Sequence, residues 1–203
     1  MITIPKRTLH ALMLTLCASI LPINMASADV EILVIRHGEK PEQGLGQLSC
    51  KGFNRSLALG DVLIKRFGKP DVIIAPDPGA QKKDKGINYS YIRPLATVEP
   101  LAISIGLPVE ATLAFNNLAG LDERLEKSLT STIEHHVLVA WEHKIAEQVV
   151  RDFLLKHSVS TEVPHWDDED YDSIYIISQK NHEPLKFRVE KQGLNNQSDK
   201  CLK

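Results

Sequence analysis

Short apolar runs alternate along the chain with stretches whose apolar residues recur at helical spacing. Residues 32–35 (Ile-Leu-Val-Ile), 71–76 (Asp-Val-Ile-Ile-Ala-Pro) and 136–141 (His-Val-Leu-Val-Ala-Trp) are uninterrupted enough to be strands buried on both faces. Between them, Ser49 is placed to cap a helix running to Phe67, with Phe53, Leu57, Leu59, Leu63, Ile64 and Phe67 as its apolar positions. Gly68-Lys69-Pro70 stops that helix. A second helix is predicted over 91–105, with Pro94 tolerated in its first turn. A third is predicted over 121–133, with Asp122 and Glu123 in the first turn, where negative charge is favoured. A fourth spans 143–157. Residues 108–115 alternate enough for a further strand, and 173–178 with 185–189 form two closing strands, as a hairpin. Residues 77–90 read as a long polar loop, 167–172 as an acidic loop, and the tail from Gln192 as polar and loose. Strands separated by helices predict an α/β fold, a three-layer sandwich with a mainly parallel sheet and helices on both faces. The last two strands are expected antiparallel at one edge.

Composition changes this picture at the N-terminus. Lys6 and Arg7 precede an apolar run over 9–23, and Ala26-Ser27-Ala28 is a small-x-small cleavage pattern. Residues 1–28 thus read as a secretory signal peptide, and 29–203 as one domain with a sizeable core. The apolar run is short for a membrane span, so no stable membrane insertion is expected after cleavage. Cys17, within the run, lacks the small residues expected before a lipidated cysteine. The predicted location is exported, periplasmic or secreted. The two cysteines then left, Cys50 and Cys201, match no metal-site spacing, and sequence leaves their pairing open. The whole chain carries a formal charge of −2, and losing Lys6 and Arg7 makes it more acidic. That excludes the strongly basic surface of a nucleic-acid binder. An anion would have to be held by a local pocket rather than a global field.

Candidate chemistry gathers where strands end. The first strand runs into Arg36-His37-Gly38-Glu39, where Gly38 would let the backbone turn and approach a ligand. The second feeds a loop and a helix carrying Arg93, and the third ends in Trp141-Glu142-His143. In open α/β sheets, ligands gather beyond the carboxyl ends of strands. Two imidazoles, two guanidiniums and a carboxylate are costly to bury together unless an anion neutralises them.

Arg36-His37-Gly38-Glu39 after the first strand is the signature of the histidine phosphatase superfamily, the phosphoglycerate mutase-like proteins. Residues 48–53 (Leu-Ser-Cys-Lys-Gly-Phe) resemble the family's L-T-x-x-G start of the first helix. Residues 93–102 (Arg-Pro-Leu-Ala-Thr-Val-Glu-Pro-Leu-Ala) are similar to its R-A-x-Q-T-A-x-x-L-A helix, and 137–143 look like the strand bearing its second histidine. The resemblance implies a phosphomonoesterase that works through a phosphohistidine. His37 would be the nucleophile, Arg36 and Arg93 the phosphate-binding forks, and His143 the second histidine of the phosphate pocket. It implies a small phosphorylated substrate, with neither metal nor organic cofactor. Alternatives are a phosphotransferase or mutase on the same fold, and a non-catalytic protein that binds a phosphorylated ligand.

The proton donor to the leaving alcohol is less defined. Glu142 is the candidate, with holding Lys144 or a pocket arginine as its other role. Glu110, Asp122 and Glu123 are alternatives that no motif separates. The family's Ser-Ser-Pro is Ala75-Pro76-Asp77 here, and the loop to Arg93 looks long. Lys82, Lys83 or Lys85 could therefore reach the site in place of Arg93, although a solvated basic loop is the simpler reading. Lys40 reads as a surface lysine. A metal cluster of His135, His136 and His143 is disfavoured because residues along one strand alternate in direction. His165-Trp166 are expected to pack under a loop, and His157 and His182 to lie on the surface.

Overall fold

The computed structural model describes residues 29–201. The signal-peptide reading, including Cys17 and the cleavage pattern, lies outside the described residues. The elements in order are β1 (Val30–Arg36), α1 (Cys50–Phe67), β2 (Val72–Pro76), β3 (Gln81–Asp84), β4 (Ile87–Ser90), α2 (Arg93–Ile105), β5 (Val109–Leu113), α3 (Leu118–Thr130), β6 (His136–Trp141), α4 (His143–Lys156), β7 (Ser173–Gln179) and β8 (Lys186–Lys191). Six strands make one sheet in the order β5-β2-β6-β1-β7-β8. β5, β2, β6 and β1 pair in parallel, whereas β7 runs antiparallel to β1 and β8 antiparallel to β7.

Period-two alternation along the central strands divides the core between two faces. Ile32, Val34, Val137 and Val139 pack with Val149, Val150 and Phe153 of α4 and with Leu121 and Leu125 of α3. Leu33, Ile35, Leu138 and Ala140 pack with Leu59, Leu63 and Phe67 of α1 and with Val98 and Leu101 of α2. The expected three-layer sandwich is formed. Neighbouring strands β1 and β6 send their following helices, α1 and α4, to opposite faces. A crevice must open between their carboxyl ends, and this is where α/β sheets place ligands.

Several expectations need correction. On α1, Ser49 does cap, accepting from the Gly52 amide at 3.2 Å. The buried stripe, however, is Gly52, Arg55, Ser56, Leu59, Leu63 and Phe67, while Phe53 and Leu57 are exposed. α3 begins earlier than expected because Asn117 caps it, accepting from the Gly120 amide at 3.0 Å, so its first turn holds no acidic residue. Residues 77–90 are not a plain loop, since β3 and β4 form a hairpin closed by Lys85-Gly86. Both turn residues have positive φ, 48° and 90°, as a two-residue hairpin turn with the right twist requires.

The tail from Gln192 is tied down. Leu194 is buried, the Gly193 and Leu194 amides donate to Asp172, and Cys201 is disulfide-bonded to Cys50. Among the described residues, no helix is long and apolar enough to cross a membrane.

Candidate active site

Register brings the two histidine segments together. Arg36 pairs with Trp141 across the β1–β6 ladder, and the His37 amide donates to the Trp141 carbonyl at 3.0 Å. His37 and the Glu142-His143 pair therefore leave adjacent parallel strands at the same level. A cleft of about 440 Å³ opens there. Arg36, His37, Arg93, Glu142 and His143, all singled out from sequence, line it together. That volume suits a small substrate.

His37 is buried, and its Nδ1 lies 2.7 Å from the Gly38 carbonyl oxygen. A carbonyl only accepts, so Nδ1 carries the proton and Nε2 keeps its lone pair. Burial, reinforced by the nearby Arg93 charge, lowers the His37 pKa well below 6.5, although the Gly38 carbonyl opposes the shift. The imidazole is thus neutral near neutrality. Gly38 is required by packing. A Cβ there would meet the Gly52 carbonyl oxygen at 3.0 Å, and one at Gly52 would meet the Glu39 carbonyl oxygen at 2.4 Å. The two glycines let the start of α1 pack directly on the loop that carries His37. The Gly38 amide also donates to Thr97 Oγ1 at 2.9 Å, linking that loop to α2.

Among the described residues, both arginines make their side-chain hydrogen bonds through Nη1. Arg36 Nη1 donates to the carbonyls of Asp167, Asp168 and Asp170 at 3.3, 2.6 and 3.2 Å, and the guanidinium lies 3.8 Å over the Tyr171 ring. Arg93 Nη1 donates to Asp84 Oδ2 at 2.6 Å. The Nε–H of each is fully buried and has no acceptor among the described residues. Buried donors without partners are rare in proteins, and two guanidiniums with the same deficit line one cleft.

Glu142 is the N-cap of α4, its Oε2 accepting from the Ile145 amide at 3.0 Å. Burial raises its pKa, but His143, Lys82 and that amide outweigh burial and hold the carboxyl at about 2. As placed here it is ionised. Its cationic partner is Lys82, with Nζ 3.7 Å away, and not the expected Lys144 or a pocket arginine, since Lys144 pairs with Asp168 and Arg93 with Asp84. Glu110, Asp122 and Glu123 do not line the cleft; they pair with Arg124, Lys156 and Lys127. Lys40, Lys82, Lys83 and Lys144 do line it, whereas Lys85 does not.

Three contributors were missed from sequence. Asp84, on β3, fixes Arg93; its signal was a position alternating with Lys82 in a hairpin that the polarity of 81–90 disguised. Asp168 Oδ1 lies 2.6 Å from His143 Nε2, and no local pattern in a run of acids distinguishes it. Arg55 is fully buried, and all five of its donors are used: Glu39 in bidentate fashion, then Asp172, Gln192 and Asn195. Its signal was a charge in phase with Leu59 and Leu63 on the apolar stripe of α1. Among the described residues, no group of three or more His, Cys, Asp or Glu is placed to hold a metal ion.

This sheet order, with an Arg-His pair at the β1–β6 crevice and helices on both faces, is the histidine phosphatase fold, that of the phosphoglycerate mutase-like proteins. Among solved structures, the chain is similar to the protein histidine phosphatase SixA complexed with tungstate, at 12% identity and a TM-score of 0.56, over 80% of this chain and 97% of that one. It is also similar to mycobacterial glucosyl-3-phosphoglycerate phosphatase complexed with inorganic phosphate, at 16% identity and a TM-score of 0.54, over 79% and 95%. No protein-family model and no curated protein sequence matches the chain.

Proposed function

We propose that this protein is an exported phosphomonoesterase that hydrolyses a small phosphate ester through a phosphohistidine at His37. The observation that carries the reading is a neutral imidazole, its Nδ1 proton held by the Gly38 carbonyl, in one cleft with two guanidiniums and a second imidazole. A tetrahedral oxyanion is what such a set of cations and donors holds and what a neutral imidazole attacks. Nε2 attacks phosphorus, Arg36 and Arg93 hold the equatorial oxygens, and water then releases phosphate from His37. His143 donates to a phosphoryl oxygen through Nε2 once Asp168, which is itself two-thirds exposed, gives up that hydrogen bond. The two similar structures are both phosphatases, one holding tungstate and the other inorganic phosphate, which supports the same use of this fold. Export rests on the leader pattern over 1–28 and is supported by the Cys50–Cys201 disulfide, a bond that persists in oxidising compartments.

The test is phosphate release from a panel of phosphoesters, with and without chelator, by the wild type and by His37→Ala. The variant is expected to lose release from every ester, while the wild type is indifferent to chelator. Equal rates in the two proteins would remove His37 from the chemistry.

A further inference from the structure

The cleft holds four carboxylates and no evident acid. Glu142 is ionised, and Asp84 is salt-bridged to Arg93. The Asp168 carboxyl is held at about 2 by His143 and Lys144, and Glu169 is exposed. Arginine does not give up its proton, His37 is spent as the nucleophile, and the His143 Nε2–H is committed first to Asp168 and then to a phosphoryl oxygen. An alcohol cannot leave readily as a bare alkoxide, so a proton has to come from another group.

Lys82 differs from the other lysines of the cleft. Its side chain is 27% exposed, whereas Lys40 and Lys83 stand in solvent. Its Nζ lies 5.1 Å from the centroids of both Tyr91 and Phe115, which themselves pack edge-to-face. Tyr91 in turn packs edge-on against His37, with centroids 5.9 Å apart. Two aromatic faces and the Glu142 carboxylate thus fix one ammonium in the wall of the nucleophile's cleft. Its charge is felt at His37, where it lowers the imidazole's basicity. Burial, with the charges of Arg93 and Lys40, lowers its pKa from 10.5, against the pull of Glu142. Such an ammonium is a far stronger acid than an alkanol.

Resting on the phosphohistidine reading above, we propose that Lys82 is the general acid that protonates the leaving alcohol. As His37 Nε2 forms its bond to phosphorus, the P–O ester bond breaks and its electron pair stays on the ester oxygen. That oxygen takes a proton from the Lys82 ammonium and departs as neutral alcohol. Lys82 is left as an amine. In the second half, water attacks phosphorus and gives a proton to that amine. The N–P bond breaks, its electron pair returns to Nε2, and phosphate leaves with Lys82 recharged.

The experiment compares wild type, Lys82→Arg and Lys82→Met on phosphomonoesters graded from 4-nitrophenyl to simple alkyl leaving groups. Arg keeps the charge but is a much poorer acid. For both variants kcat/KM is expected to fall by about 10²–10³-fold on alkyl phosphates and by less than about tenfold on 4-nitrophenyl phosphate. The plot of log kcat/KM against leaving-group pKa then steepens. A parallel plot for Lys82→Arg, with loss equal across the series or no loss, overturns the assignment and leaves Lys82 as a charge only. Circular dichroism and thermal melting verify that each variant is folded, and Lys82→Met serves if the larger Arg disrupts the aromatic slot. A wild type that releases phosphate from no ester and forms no phosphohistidine would sink the reading of the site itself, a separate result from unchanged slopes in an active enzyme.

Discussion

At the scale of single residues, function turns on groups held in one protonation state. In the proposed reaction His37 must be neutral to attack, and burial with Arg93 holds its pKa well below 6.5. Its loss to protonation therefore comes only well below the range of an ordinary imidazole, so the acidic limb of kcat/KM, corrected for substrate ionisation, is expected shifted to lower pH than a free histidine would give. The same shift has a stability cost. Below 6.5 the unfolded chain binds a proton at this position that the folded one refuses, so stability falls with pH. Glu142 acts in the same direction. Its folded pKa of about 2 lies below the ordinary 4.5, so its contribution is full above 4.5 and disappears as pH falls towards 2. Thermal melting from pH 7 to 3 is expected to show the decline, with a shallower slope below pH 4.5 for Glu142→Gln. Asp84 is the other telling residue, because Arg93 is aimed by one 2.6 Å contact to it. Asp84→Asn is expected to lower kcat/KM by about 10²-fold by misplacing the guanidinium. Steady-state kinetics with the fold verified by circular dichroism will show it.

At the scale of elements, the acidic loop between α4 and β7 closes one side of the cleft. Its carbonyls take Arg36 Nη1, and its Asp168 takes His143 Nε2. A carboxylate on that nitrogen competes with any incoming oxyanion. Asp168→Ala is therefore expected to tighten inhibition by inorganic phosphate by about tenfold. Weaker inhibition would mean that Asp168 orients His143 more than it blocks it. Legibility in the sequence divides along the same elements. Strands β1, β2 and β6 were plain because four-residue apolar runs have one economical use, and the residues at their ends followed. The β3–β4 hairpin was hidden because its inward positions, Lys82 and Asp84, are charged and serve the cleft rather than the core. Hydropathy cannot distinguish such a hairpin from a loop. The phase of α1 misled for a related reason, with Arg55 inside and Phe53 and Leu57 outside.

At the scale of the whole molecule, the start of α1 is joined to the segment that follows β8. Cys50 at the start of α1 bonds Cys201, 151 residues later, and Asn54 on the next turn donates to the Ser198 and Lys200 carbonyls at 2.8 and 2.9 Å. Cross-links closing long loops restrict the unfolded ensemble most. The double variant Cys50→Ser/Cys201→Ser is expected to lose about 2–4 kcal/mol, seen as a melting temperature lower by about 5–15 °C. Wild-type protein treated with a reductant should match it. Unchanged melting would mean that the tail is held by its hydrogen bonds alone.

Arg55 adds an ordering in time. It clamps Glu39, two residues from His37, yet it completes its acceptor set only with Gln192 and Asn195. The His37 loop is thus left unbraced until the polypeptide has been made and folded at least as far as Asn195.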